Sequence, residues 1–585
     1  MPTGVRFLSS PVVKRRSIYE INSSSETTEQ KPEASSRETP VSGPKEVPSE
    51  LPQLVRHKES TTIELFYDLF FVANLTTFTT VHEVNSRKAL TSYIGFFCVL
   101  WFTWCETSLF DVRFMSDSWM QRLAKACHLG IMVGLSIVGP NYDTQEAAEK
   151  DDSKNLKILA FILMGSRLIL ALQYLLTVFQ LRSYQNTKFP ISLLAVGNFV
   201  AVIVYMIIAA ALNKYEHAYQ AFYVIAGFEM IYTIIVSSCW KVCSFKGTHL
   251  VERMSLLTLY ILGEGVIDIL QSTGKLAQIN NNDWSGATIG VIIASIASVY
   301  LMYMLYFDNM NHKHFGSIRQ QIWSFLHFPF HAVLVLAVTG MGQFVTWHKV
   351  VEAITPLGVT FEDLTDTFPT FKSTLWTEDR FSDLYNNLTD LVVTNIDELT
   401  GLYPSKNSKL VAEIDSNLAT VKEGFEVGNE TSFIEFIEGF QNILLGMSNS
   451  IYQTYGFEAG GLDENARVEI GEEFDASVNT IATVFVYFFI AAGLSLILAG
   501  TLGLIMSTHN GWRFGSIIRF ASCFVVGLSL ALISIAAYTD RAFDMLVSPW
   551  VIPTYTLTTA FVLCLHHIKW GNNDKEHDID EYVSP

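Results

Sequence analysis

Apolar residues in this chain fall into long runs broken by short polar stretches. Twelve runs of about 20 residues lie near 63–84, 90–112, 119–140, 156–181, 189–212, 219–241, 249–272, 284–308, 322–345, 480–507, 515–537 and 548–569. A helix of roughly 20 apolar residues crosses a ~30 Å hydrocarbon core. The pattern predicts an all-α, polytopic membrane bundle of ten to twelve transmembrane helices. The third run is the weakest, because Arg122 and Lys125 lie in its first turn.

The polar stretches divide the rest. Residues 1–60 are rich in Ser, Thr, Glu, Pro and Lys and hold no apolar core, which predicts a disordered cytosolic tail without a cleavable signal. A nine-helix region follows at 61–345, then a polar insertion at 346–479, three further helices at 480–570 and a polar tail at 571–585.

Composition agrees with the pattern. Charged residues make up 16% of the chain, against about 25% in soluble proteins. Lys and Arg in the short loops place the N-terminus in the cytosol: Arg113, Arg122, Lys125, Arg182, Lys188, Lys241, Lys246, Lys313, Arg319, Arg513 and Arg519 all fall on one side. The insertion then faces the lumen or exterior. It holds 24 acids against 7 bases, almost the whole net charge of −18. Its sequons, at Asn387 and Asn429, would be glycosylated on that side. Two apolar stripes, Phe381 to Val392 and Phe433 to Leu444, follow helical spacing and predict amphipathic helices. All seven cysteines lie in or beside the runs, so no disulfide framework is expected. Cys239 and Cys243 are candidates for palmitoylation, but a packing role is preferred.

Ionisable residues inside apolar runs cost on the order of 3 kcal/mol at mid-bilayer and usually face the bundle interior. Glu64 and Asp68 share one helix face four residues apart, as do Glu264 and Asp268. Glu106, Asp111, Arg113, His128, His327 and His331 fall at the inner level, and Arg167, Glu229 and Asn198 near the midplane. Asp68, Glu264, Asp268, Glu106, His327 and His331 are the candidates for an ion or substrate pathway. Arg167 with Glu229, and Asp111 with Arg113, are the candidate structural charge pairs. For each residue a purely structural role competes: Glu64 as a helix-start acid, Asp111 and Arg113 as headgroup anchors. The two E-x-x-x-D pairs, six helices apart, also suggest a six-plus-six repeat.

Other chemistry is weakly signalled. His327 and His331, with His312 and His314 upstream, share i, i+4 spacing but lack the further clusters of a membrane metalloenzyme. Thr273-Gly274-Lys275 is no P-loop, and there is no G-x-S-x-G, no H-E-x-x-H and no basic patch for nucleic acid. Neither cofactor nor metal is expected.

Several motifs resemble a known family. Glu64-Leu-Phe-Tyr-Asp68-Leu-Phe-Phe-Val is similar to the opening of the low temperature requirement A (LtrA) membrane proteins. Trp101-Phe-Thr-Trp104 with Asp111 and Arg113, His249-Leu-Val-Glu252-Arg253, Leu262-Gly263-Glu264, Tyr306-Phe307-Asp308 and His327-Phe-Pro329 follow in the family's order over 60–345. Gly265 stands where the family usually has Ser, and Tyr67 replaces a Phe. The insertion resembles the layout of the fungal branch. The resemblance implies an integral membrane protein and assigns no substrate.

The leading expectation is a channel or secondary transporter for a proton or small cation, with Asp68 and Glu264 binding or gating it. Asp68 would face an ion or an internal partner such as Arg113. A membrane scaffold or sensor whose acidic insertion binds a protein partner is the alternative, and a membrane enzyme comes third. The expected surroundings are the lipid bilayer of the plasma membrane or of a secretory-pathway or vacuolar membrane. A homo-oligomer is compatible with the sequence.

Overall fold

The structure, a computed structural model, describes residues 59–142, 154–212, 214–279, 284–310, 316–366, 470–506, 514–539 and 542–568, with scattered single positions elsewhere. The predicted tails, the two amphipathic stripes of the insertion, the sequons at Asn387 and Asn429, and His312 and His314 lie outside the described residues.

Every regular element among the described residues is a helix. In chain order they are α1 (Thr62–Val81), α2 (Arg87–Phe114), α3 (Trp119–Val138), α4 (Lys154–Gln180), α5 (Gln185–Ala211), α6 (Gln220–Cys239), α7 (Leu250–Ile279), α8 (Gly286–Phe307), α9 (Ser317–Asp366), α10 (Ile470–Met506), α11 (Phe514–Ile533), the short α12 (Ala542–Val547) and α13 (Val551–His567). All twelve apolar runs are thus helical. Among the described residues ten candidate spans, all but the first and last runs, are long and apolar enough to cross a membrane. Helix α1 is diluted by Glu64, Asp68, Asn74 and several threonines, and α13 is only 17 residues long.

The chain forms two compact units. Unit 1 comprises residues up to Phe78, Gly95–Leu257 and Lys313–Phe325. Its axis is α2, in which every residue from Gly95 to Phe114 is buried. A helix apolar on most sides has no solvated face to present and belongs in the middle of a bundle. Around it α3 packs on α4, α4 on α5 and α5 on α6. Phe110, Phe114, Leu170, Tyr174, Ile191, Leu194 and Val236 knit these helices together, and Cys243 completes that core. Burial pushes the Cys243 thiol up to about 12, so it packs rather than reacts. Cys239 is exposed.

The outward faces are apolar. Leu168, Leu172, Leu175 and Phe179 on α4, and Val224, Phe228, Ile231 and Ile235 on α6, are exposed at helical spacing. Water would not tolerate such continuous stripes, whereas lipid suits them.

Unit 2 comprises Thr79–Ile94, Thr258–His312 and the chain from Leu326 onward. Here α10 packs on α11, α8 on α13, and α11 on α13. The α10–α11 crossing is glycine on glycine. A Cβ at Gly493 would meet the Gly527 carbonyl oxygen, and one at Gly527 would lie 2.5 Å from that of Gly493.

Among the described residues all seven cysteines are free thiols. Cys98, Cys105, Cys243 and Cys523 are buried; Cys127, Cys239 and Cys564 are exposed.

Candidate functional site

The polar face of α1 is its buried one. Glu64, Tyr67, Asp68, Phe71, Asn74, Leu75 and Phe78 point inward at helical spacing, while Phe66 and Leu69 face out. Glu64 accepts from the Thr61 N–H at 2.7 Å, so it does cap the helix start. It also lies 3.3 Å from His249 Nε2 and 3.7 Å from Arg253 Nη1.

One turn deeper, Asp68 Oδ1 accepts from Arg253 Nη2 at 2.6 Å and from Trp104 Nε1 at 2.7 Å. Arg253 Nη2 also donates to Ser108 at 3.0 Å. The guanidinium is fully buried and lies 5.7 Å from the Trp104 ring centroid, within cation–π reach. A single arginine from α7 therefore holds α1 and α2. Of the two possibilities raised by the sequence, an ion or an internal partner such as Arg113, Asp68 has an internal partner, and it is Arg253.

A second cation repeats the arrangement from α3. Lys125 is buried, pairs with Asp111 and lies 4.3 Å from the Tyr67 ring centroid. The lysine that weakened the third run on sequence grounds is thus an interior residue. Arg113 donates to the carbonyls of Val242 at 2.7 Å and Lys241 at 3.4 Å, tying the loop between α6 and α7. His128 meets Gln173 at 2.8 Å, and Gln173 donates on to Gln121 at 2.9 Å.

Arg167 on α4 and Glu229 on α6 form an ion pair at 2.9 Å. Glu106 differs from every acid so far. It is 2% exposed, makes no ion pair among the described residues, and is hydrogen-bonded by the Thr233 hydroxyl at 3.2 Å. Asn198 donates to the carbonyl of Leu194 in its own helix and joins no charge.

Unit 2 holds the remaining candidates. His327 and His331 lie ring to ring, 5.2 Å between centroids. His327 meets the Tyr306 hydroxyl at 2.8 Å, and His331 the Thr258 hydroxyl at 2.8 Å. No group of three His, Cys, Asp or Glu that could hold a metal occurs among the described residues. Glu264 is buried, and Asp268, one turn on, lines an open cleft with Glu83, Gln271, Lys275, Thr339 and Tyr455.

Most of these side chains were quoted above for a family resemblance. Glu64, Asp68, Trp104 and Asp111 lie far from His249 and Arg253 in sequence, yet they form one cluster in unit 1. The family model described as bacterial low temperature requirement A protein (LtrA) matches residues 59–361, more than half of the chain. The chain belongs to the LtrA family. No curated protein and no solved structure matches it.

The family resemblance also explains less than it might at one position. At Gly265, which departs from the resemblance, a Cβ would collide with the Val338 side chain on α9. Valine is branched at Cβ and cannot swing aside freely. Gly265→Ser is expected to lower stability by about 1–3 kcal/mol through overpacking, and Val338→Ala in the same chain to restore most of it. Thermal melting of the detergent-solubilised protein checks both, and an additive double variant would reject the collision.

Proposed function

We propose that this LtrA protein is a channel or secondary transporter for a proton or small cation, and not an enzyme. The observation that carries the reading is Glu106. It is a carboxyl group buried on the central helix of unit 1, hydrogen-bonded by a hydroxyl and in no direct ion pair among the described residues. An ionised carboxylate without a direct ion-pair partner is costly in such a place, so the group is stabilised by whatever cation reaches it, a proton included. Arg167 from α4 and Glu229 from α6 act on it electrostatically and complete a polar station beside that helix.

Asp68 and Asp111 take a different part in this reading. Each is occupied by a protein cation, so they hold α1, α2, α3 and α7 in register around the station. The pathway role given to Asp68 on sequence grounds passes to Glu106. In this reading the protein works in the plasma membrane or a secretory-pathway or vacuolar membrane, with the insertion and its sequons on the non-cytosolic side.

Flux in proteoliposomes under an imposed gradient, followed with a pH dye and a potassium-sensitive dye, tests the proposal. Glu106→Gln is expected to reduce flux at least tenfold while the protein elutes as one sharp peak. Wild-type flux no greater than that of empty vesicles, for both ions, would sink the reading.

A further inference from the structure

The cleft beside Asp268 has no part in the station at Glu106, yet it is built as a binding site. It is a concave cleft open to the surroundings, and clefts are where small-molecule sites occur. Such sites are mostly apolar, and this one is not. Apart from Tyr455 and Gly456, its wall consists of hydroxyls, amides and charges drawn from α1, α7 and α9 and from Glu83.

Its charge has one sign in excess. Among the described lining residues Glu83 and Asp268 stand against one cation, Lys275, and Asp268 feels Glu264 and Glu83 as like charges and Lys275 as the opposite one. A solute with one positive charge balances the site. The hydroxyl and amide wall favours a solute that itself makes hydrogen bonds, and two carboxylates are too few to ligate a divalent metal without help.

Two further features keep the carboxylate accessible. Gly342 on α9 backs directly onto it, where a Cβ would lie 3.0 Å from Asp268 Oδ2 and 3.3 Å from Ser272 Oγ. Any other residue there would crowd the acid. On another side the insertion contributes Tyr455 and Gly456, the glycine at φ 70°, a left-handed conformation that lets the chain turn there. An aromatic ring in a hydroxyl-rich wall is a surface that attracts organic cations.

We infer that this cleft binds a small hydrophilic organic ammonium ion, with Asp268 as its principal counter-ion and the insertion as part of its wall. The site is independent of the transport proposed above, because binding is read without flux.

Equilibrium dialysis of labelled ethanolamine against the full-length protein in detergent tests it. Saturable binding is expected in wild type and in Glu106→Gln, with competition by unlabelled ethanolamine but not by ethylene glycol. Asp268→Asn is expected to weaken binding at least tenfold. If that variant does not purify as a single species, Gly342→Ala, which places a methyl against the same carboxylate, is read instead with the same expectation. Absence of saturable binding in wild type, unchanged affinity in the folded variant, or equal competition by ethylene glycol would overturn the inference.

Discussion

Arg253→Met is expected to destabilise the protein by about 3–5 kcal/mol, the usual loss when one partner of a buried ion pair is removed. The guanidinium is fully buried and its Nη2 donates to both Asp68 and Ser108. Without it, Asp68 keeps only the Trp104 N–H, and Glu64 loses its arginine. Asp68 then sits without its cation in an apolar bundle, while Glu64 keeps the Thr61 N–H and His249. Arg253→Lys is expected to recover part of the loss, since an ammonium supplies charge but not the planar fork. Adding Asp68→Asn to Arg253→Met should also recover part, because the orphaned charge is gone. The melting temperature of the protein in detergent, read by size-exclusion after heating, reports all three. A methionine variant that melts with wild type would show that the arginine does not hold the bundle.

The other large effect lies at the α10–α11 crossing. A methyl added at either Gly493 or Gly527 meets the carbonyl of the other glycine. Backbone has no rotamers, so the only relief is separation of the two helices along their length. Each alanine is expected to cost about 1–3 kcal/mol, at the upper end of ordinary overpacking. The double variant should cost clearly less than the sum, since helices already parted accept the second methyl. Gly290→Ala on α8 is the control, as nothing lies within 4 Å of its added carbon. A strictly additive pair, or a control as damaging as the crossing variants, would count against the close approach.

Helices were legible in the sequence because membrane spanning demands long apolar runs, and each of the twelve runs is helical. The inward direction of Glu64 and Asp68 was legible too, because four-residue spacing puts both on one face and charge avoids lipid. Their partner was not. Arg253 lies 185 residues beyond Asp68, and nothing local distinguishes it from a helix-end anchor. The one signal was its place in the His249-Leu-Val-Glu252-Arg253 motif, four residues after a histidine that reaches Glu64. Lys125 was counted for orientation, since a lysine near a helix start normally reaches the headgroups; here it turns inward to Asp111. Sequence spacing also brought Asp268 together with Glu264, but not with Glu83, which comes from the segment between α1 and α2.

The distribution of thiols bears on how the protein can be observed. Four of the seven cysteines are sealed inside helix packing and three are exposed. A maleimide dye on the detergent-solubilised protein is therefore confined to Cys127, Cys239 and Cys564, the thiols outside the packed interior. A background for site-specific labelling needs three substitutions, none in the packed interior. A reporter thiol introduced beside the cleft at Asp268 could then follow ligand binding in single molecules, with the native core left as it is.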